Sequence, residues 1–362
     1  VKPTSHFAAT YAAARARFLA SADAAGLAVA SHAIDGVRGA QGEELAMDVV
    51  RVGDPQADKL LVLTSAIHGV EGFCGSGCQS AMLVDEPLLA TAERMGVGLL
   101  FVHAVNPFGF SHLRRVNEDN VDVNRNFVRF DEARSPNHGY AELEPLLLPP
   151  AWPPGPEAAA RLDAWIGAHG VEAYGQSVFQ GQYDSPTGMF YGGSRATWSN
   201  RTIRRVLRHE GAAAKQVGWI DLHTGLGPRG HCEKVFIGRR GEIDRARTWW
   251  GADVISTERD DSVMYEISGP MVTILAEECP NALGTTIALE FGTVPLLRMI
   301  DALRADHFCW RAEPPVAPRL QAEAGQELKA CFYVDDADWQ GMVFGQARTA
   351  VVQALCGLGA SA

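Results

Sequence analysis

The chain has 362 residues, 47% of them hydrophobic and 21% charged, with a formal net charge of −11. That is ample apolar material for a large core and an ordinary composition for a globular protein. An acidic balance without any Lys/Arg block speaks against nucleic acid and anionic membrane surfaces as partners, and no run reaches the ~18–20 apolar residues of a membrane span.

The Ala-rich opening stretch, 1–26, carries Arg15 and Arg17 where a signal peptide would be uninterrupted and apolar. It reads as an amphipathic helix packed on the domain. Further along, "KLLVLTSAI" (59–67), "VGLLFVHAV" (97–105), "VGWIDLH" (217–223), "EKVFIG" (233–238) and "TTIALEFG" (285–292) read as strands buried on both faces. Segments 72–84, 157–169, 198–213 and 241–252 have helical patterns, with Ser199 placed to cap the third. Apolar strands alternating with helices predict an α/β fold. The expectation is a single domain over 1–362, a mixed, mostly parallel twisted sheet with helices on both faces. The Pro-rich piece "LLLPPAWPPGP" (146–156) reads as an ordered surface excursion inside an insertion at about 131–195. The last stretch, "WQGMVFGQARTAVVQALCG" (339–357), is helical in pattern. Seven cysteines, odd in number and sparse, predict free thiols in a reduced compartment, the cytoplasm. Cys74 and Cys78, four apart, read as small buried thiols.

Functional groups in open α/β sheets gather at the carboxyl ends of strands, and three strand ends here carry titratable groups. They are His68-x-x-Glu71, Asp221-Leu222-His223 and Glu290. Two imidazoles and one carboxylate make a common catalytic zinc set, and a further carboxylate can move the proton of an activated water. Gly69 and Gly72 flank Val70-Glu71 and allow a tight turn there. Taken singly, each strand end is equally an ordinary polar tip. A fourth block, "HAVNPFGFSHLRRVNEDNVDVNRNF" (103–127), adds Arg114, Arg115, Asn124 and Arg125. Arginine's planar fork suits a carboxylate, so the combination suits a substrate with a polarisable carbonyl near a free carboxylate.

In order, "HGVEG", "NPFGF", "VDVNRNF", "DLHTG" and "LEFGT" resemble the zinc carboxypeptidase superfamily, the carboxypeptidase A-like metallopeptidases. The pieces span residues 60–292. "GQYDSPTGMFYGG" (181–193) followed by "WSN" resembles a bacterial branch of it. The resemblance implies one zinc ion held by His68, Glu71 and His223. It implies Glu290 as general base and Arg115 as the oxyanion-stabilising arginine, with Arg114 as the alternative. It further implies Asn124 and Arg125 as the seat of the substrate carboxylate. Tyr265 stands nearest the position of a substrate-capping tyrosine and is equally a half-buried core residue. Asp221 is placed to orient His223. The implied activity is hydrolysis of an amide bond in a small peptide or acyl-amino acid with a free carboxylate. Alternatives are an N-acyl amino acid deacylase of the aspartoacylase/succinylglutamate desuccinylase type and, in another class, a non-catalytic binding protein on the same fold. Phe108 stands where the family pattern has Asp. The interval from Glu71 to His223 is lengthened by the insertion, whose Tyr183, Met189, Phe190, Tyr191 and Arg195 are expected to line or cover the pocket.

Overall fold

The computed structural model describes residues 2–238, 242–256 and 265–360. Their strands form one eight-stranded sheet: β1 (Val29–Arg38), β2 (Glu44–Val52), β3 (Lys59–Ser65), β4 (Val97–His103), β5 (Gln216–Gly225), β6 (Cys232–Phe236), β7 (Val254–Ser256) and β8 (Leu283–Gly292). Spatial order is β1-β2-β4-β3-β5-β8-β6-β7. The four central strands, β4, β3, β5 and β8, run parallel, and β2 and β6 join antiparallel on either side. The chain leaves β3 for β4 on one side and later returns to β5 on the other, so the order reverses between β3 and β5. This is where an open sheet offers a crevice.

All five expected strands are present. Alternation along each divides the core in two. Leu61, Leu63, Leu99 and Phe101 pack with helices Tyr11–Ala24, Gly72–Met82 and Ala337–Ala360. Leu60, Val62, Leu100 and Val102 face the opposite way, toward Ile203 and Val206 of helix Trp198–Glu210. The N-terminal helix buries Tyr11, Ala14, Phe18, Ser21 and Ala22, a helical stripe.

Three strands escaped the sequence reading. β1 is largely exposed and lacks an apolar run. β2 has Asp48 in its middle, a charge that hides a strand whose core is otherwise buried. Arg15 Nε donates to Asp48 Oδ2 at 2.8 Å and Ser31 to Oδ1 at 2.5 Å, so the charge is paired where it is buried. β7 is three residues long. The cap of helix Trp198–Glu210 is Thr197, whose hydroxyl accepts from Asn200 N at 3.2 Å; Ser199 lies inside the first turn. The helix expected from 241 runs Ile243–Trp250, and Gly241 itself lies outside the described residues.

Segment 131–195, expected as an insertion, packs onto the rest of the chain through helices His138–Leu147, Pro156–His169 and Val171–Phe179. Their Tyr140, Leu143 and Val178 join Leu303 and Leu328 of helices Leu296–Arg311 and Pro318–Phe332 in a third cluster. All seven cysteines are unpaired, six of them buried. No helix of the described residues is long and apolar enough to cross a membrane.

At the end of β4, His103 is wholly buried, bonded to Ser76 Oγ at 2.8 Å and stacked on Phe18 at 4.6 Å. Burial disfavours its charged form and pushes its pKa down to about 4. The unfolded chain takes up this proton below ~6.5 and the folded chain only near 4, so the contribution is complete above ~6.5 and is lost as pH falls. The stability advantage of wild type over His103→Gln, measured by urea unfolding, is therefore expected to shrink by about 1–3 kcal/mol between neutral pH and the lower end of that window.

Candidate metal centre

β3 ends at Ser65, passes Ala66 at φ +60° and delivers His68 to the crevice; Gly69–Glu71 form one 3-10 turn before the next helix. Gly69 is required by close approach. A Cβ there would lie 2.0 Å from the Gly109 carbonyl carbon. The "NPFG" turn is capped by Asn106, whose Oδ1 accepts from Gly109 N at 2.9 Å. It lies directly on the His68 turn: Gly69 N donates to Arg115 O at 3.2 Å and Val70 N to Arg114 O at 2.9 Å. Phe108, in place of the pattern's Asp, packs its ring 4.2 Å from that of His112 and 6.1 Å from Trp310. On the other side of the crevice, β5 and β8 pair so that His223 stands opposite Glu290.

These pieces meet at one carboxylate. His68 Nδ1 is 2.8 Å from Glu71 Oε1 and His223 Nδ1 is 3.1 Å from Oε2. Thr224 N donates to Oε2 at 3.2 Å. One ligand atom from each of His68, Glu71 and His223 lies within 4.8 Å of the other two, and all three residues are buried. The far ring nitrogens also face carboxylates: His223 Nε2 is 2.7 Å from Asp221 Oδ2 and His68 Nε2 is 3.3 Å from Asp122 Oδ1. Ligating histidines characteristically spend their second nitrogen as His223 does, whereas His68 Nε2 lies nearer the Arg115 guanidinium, at 2.8 Å.

Glu71, Asp122, Asp221 and Glu290 are all buried here, with the guanidinium groups of Arg115 and Arg125 among them. The two histidines hold Glu71 far below the usual carboxylate range despite its burial. Burial, and then the charge of Glu71, push Glu290 up to about 8. Its Oε1 accepts from Leu226 N at 3.1 Å. Asp221 and Glu71 raise His223 well above the ordinary imidazole value.

The centre opens into a narrow cleft with about 40 Å³ of free volume. His68, Glu71, Arg115, Asn124, Arg125, His223, Tyr265 and Glu290 all line it. Arg115 donates to Asp122 Oδ2 at 2.9 Å and lies 2.8 Å from His68 Nε2. Arg125 is fixed from behind: Nε and Nη2 both donate to the Phe179 carbonyl. Asn124 Oδ1 accepts from Met271 N at 2.8 Å, which leaves its amide N–H groups for another partner. Tyr265 is stacked on Phe179, centroids 5.4 Å apart.

Two expectations need correction. Arg114 does not line the cleft. It points away, with Nε bonded to buried Asp306 at 3.1 Å and its guanidinium over Trp310. Nor do the five named residues of the insertion line it. Phe179, which the sequence reading did not single out, does. Three of them stand behind the wall, and Arg195 is exposed. Tyr183 OH donates to Arg125 O at 2.7 Å, Tyr191 O accepts from Asp122 N at 2.8 Å, and the Phe190 ring lies 4.9 Å from the Arg115 guanidinium. Asp122 was also passed over. Its place in "VDVNRNF", three residues before Arg125, was the available signal.

The family model described as "Protein of unknown function (DUF2817)" matches residues 7–346. The chain belongs to that family. Among solved structures, thrombin activatable fibrinolysis inhibitor (TAFI) is similar at TM-score 0.52 and 12% identity, covering 98% of this chain and 75% of that one. Carboxypeptidase A from Helicoverpa armigera gives TM-score 0.43 and 14% identity, over 95% of this chain and 74% of the other. An aspartoacylase family protein from Mesorhizobium loti gives 0.34 and 15%, over 74% and 61%. Comparison with curated proteins finds no match. The family member described here thus shares its fold with thrombin activatable fibrinolysis inhibitor, and its mixed, mostly parallel sheet is the α/β architecture expected from the sequence.

Asp122 stands between Arg115 and Arg125, wholly buried. Asp122→Ala leaves both guanidinium groups without that counter-charge. Urea unfolding is expected to show a loss of about 3–5 kcal/mol, the usual cost of breaking a buried pair from one side.

Proposed function

We propose that the protein is a zinc-dependent hydrolase cleaving an amide bond next to a free carboxylate, in the manner of a carboxypeptidase. The observation that carries this reading is the convergence of three buried ligand atoms, from His68, Glu71 and His223, beside Glu290 in a cleft that also holds two arginines. Zinc, when bound, supplies Lewis-acid polarisation of a carbonyl and lowers the pKa of water toward ~7.

The chain's own residues do the rest. Glu290, held by the Leu226 amide, takes a proton from the water that attacks the carbonyl carbon. As the C–N bond breaks, it returns that proton to the leaving nitrogen. Arg115 donates to the oxygen on which negative charge develops. Arg125 and the free amide of Asn124 receive the substrate's carboxylate and so set which bond lies over Glu290. Phe179, Leu226, Ile237, Ile267, Met299 and Phe332 make the remaining walls apolar, which favours an uncharged group beside that carboxylate. The substrate class that fits these groups is a small peptide or acyl-amino acid with a free carboxylate.

The test is a hydrolysis screen of zinc-loaded protein against C-terminal peptides, γ-glutamyl and cell-wall peptides, and N-acyl amino acids, followed by mass spectrometry. Turnover is expected for a substrate with a free carboxylate and not for its amidated form. A protein that binds no zinc defeats the proposal. On the substrate found, Glu290→Gln is expected to lower kcat by about 10²–10⁴ with zinc content unchanged. Full activity in that variant removes Glu290 from the role of base.

Removing zinc with a chelator is expected to abolish turnover. Adding zinc back restores it, as followed by the same assay with metal content measured in parallel.

A further inference from the structure

Behind His223 lies a row of polar groups that the proposed chemistry does not use. Trp219, Asp221 and His223 alternate along β5 and so share one face of the sheet. Thr64 of the neighbouring β3 is the register partner of Asp221. Trp219 Nε1 donates to Thr64 Oγ1 at 2.9 Å, and Thr64 Oγ1 donates to Asp221 Oδ1 at 2.6 Å. The other oxygen, Asp221 Oδ2, is 2.7 Å from His223 Nε2. Thr64 and Trp219 have no exposed surface at all, and Asp221 has almost none.

Each group in this row has one use. The indole can only donate, so it takes an oxygen lone pair of Thr64 and turns the hydroxyl hydrogen toward Asp221. That bond fixes one carboxylate oxygen. The carboxylate is thereby held at one rotation and presents its second oxygen to His223. With an ion held by His68, Glu71 and His223, a proton on Nε2 shared with Asp221 would leave the Nδ1 lone pair for that ion. Without the hydroxyl, the carboxylate is free to turn and its buried oxygen is unmet.

We infer that Thr64 and Trp219 are positioning residues for the metal ligand His223, acting through Asp221 across the β3–β5 register. The inference rests on the proposed zinc site and concerns how tightly the site holds its ion. Thr64→Val keeps the side chain's shape and removes the hydroxyl, whereas Thr64→Ser keeps the hydroxyl. The measurement is the Zn²⁺ dissociation constant by chelator competition, with folded state checked by circular dichroism and melting temperature recorded.

Folded Thr64→Val is expected to bind zinc about 10- to 100-fold more weakly than wild type, the usual effect of losing an outer partner of a ligand, and Thr64→Ser is expected to restore wild-type affinity. A merely structural Thr64 would lower the melting temperature and leave the affinity of the folded protein unchanged; that result overturns the inference, as does a Thr64→Ser variant as weak as Thr64→Val. If Thr64→Val does not fold, Trp219→Phe carries the test, with weaker binding expected and unchanged binding overturning the idea. Wild-type protein that binds no zinc overturns the metal reading itself.

Discussion

Everything in the crevice depends on keeping the Glu71 carboxylate ionised where almost no water reaches it. Burying an isolated carboxylate is costly enough that it would ordinarily take up a proton. Here both oxygens are met by imidazole nitrogens and one also by a backbone N–H. The imidazoles in turn lean on Asp221 and Asp122, and Asp122 on two guanidinium groups. Each member satisfies a neighbour that would be expensive to leave alone, so the site behaves as one network. Its sheet context makes this possible: two parallel strands deliver His68 and His223 to the same crevice, and β8 sets Glu290 beside them.

The same charges push neighbouring groups in opposite directions. Two carboxylates lie near one another in the crevice, one held ionised by histidines and the other raised by burial and then by the charge of the first. Environments that drive like groups apart are how an interior separates a ligand from a proton carrier. The proposed roles of Glu71 and Glu290 follow that division.

Much of this was legible in the sequence because it sits in contiguous stretches with strong local patterns. The four central strands and β6 announce themselves as apolar runs, and the titratable residues at the strand ends follow in chain order. What was not legible depends on contacts between distant segments. Asp48 conceals β2 because its partner Arg15 lies on another element. Thr197 rather than Ser199 caps its helix, a difference of two positions that local propensity does not resolve. Arg114 and Arg115 are adjacent and chemically identical. Which one faces the cleft is decided by buried Asp306 on a helix nearly two hundred residues away. The aromatic residues of 181–193 suggested a lining, yet Phe190 packs into the third cluster while Tyr183 and Tyr191 bond to the backbone of Arg125 and Asp122.

That placement has a consequence for how such a site can be altered or moved. Arg125 belongs to the ordered motif, but two of its nitrogens rest on the Phe179 carbonyl and its own carbonyl on Tyr183, both supplied by the insertion. The motif is thus not self-sufficient. Transplanted to a related scaffold with a shorter connection, it would arrive with a buried guanidinium short of acceptors. Conversely, lengthening or trimming the helix that ends at Phe179 would shift the arginine without touching a motif residue. Segment 131–195 works as the arginine's mounting, through which the fold can shift that guanidinium while His68, Glu71 and His223 stay where they are.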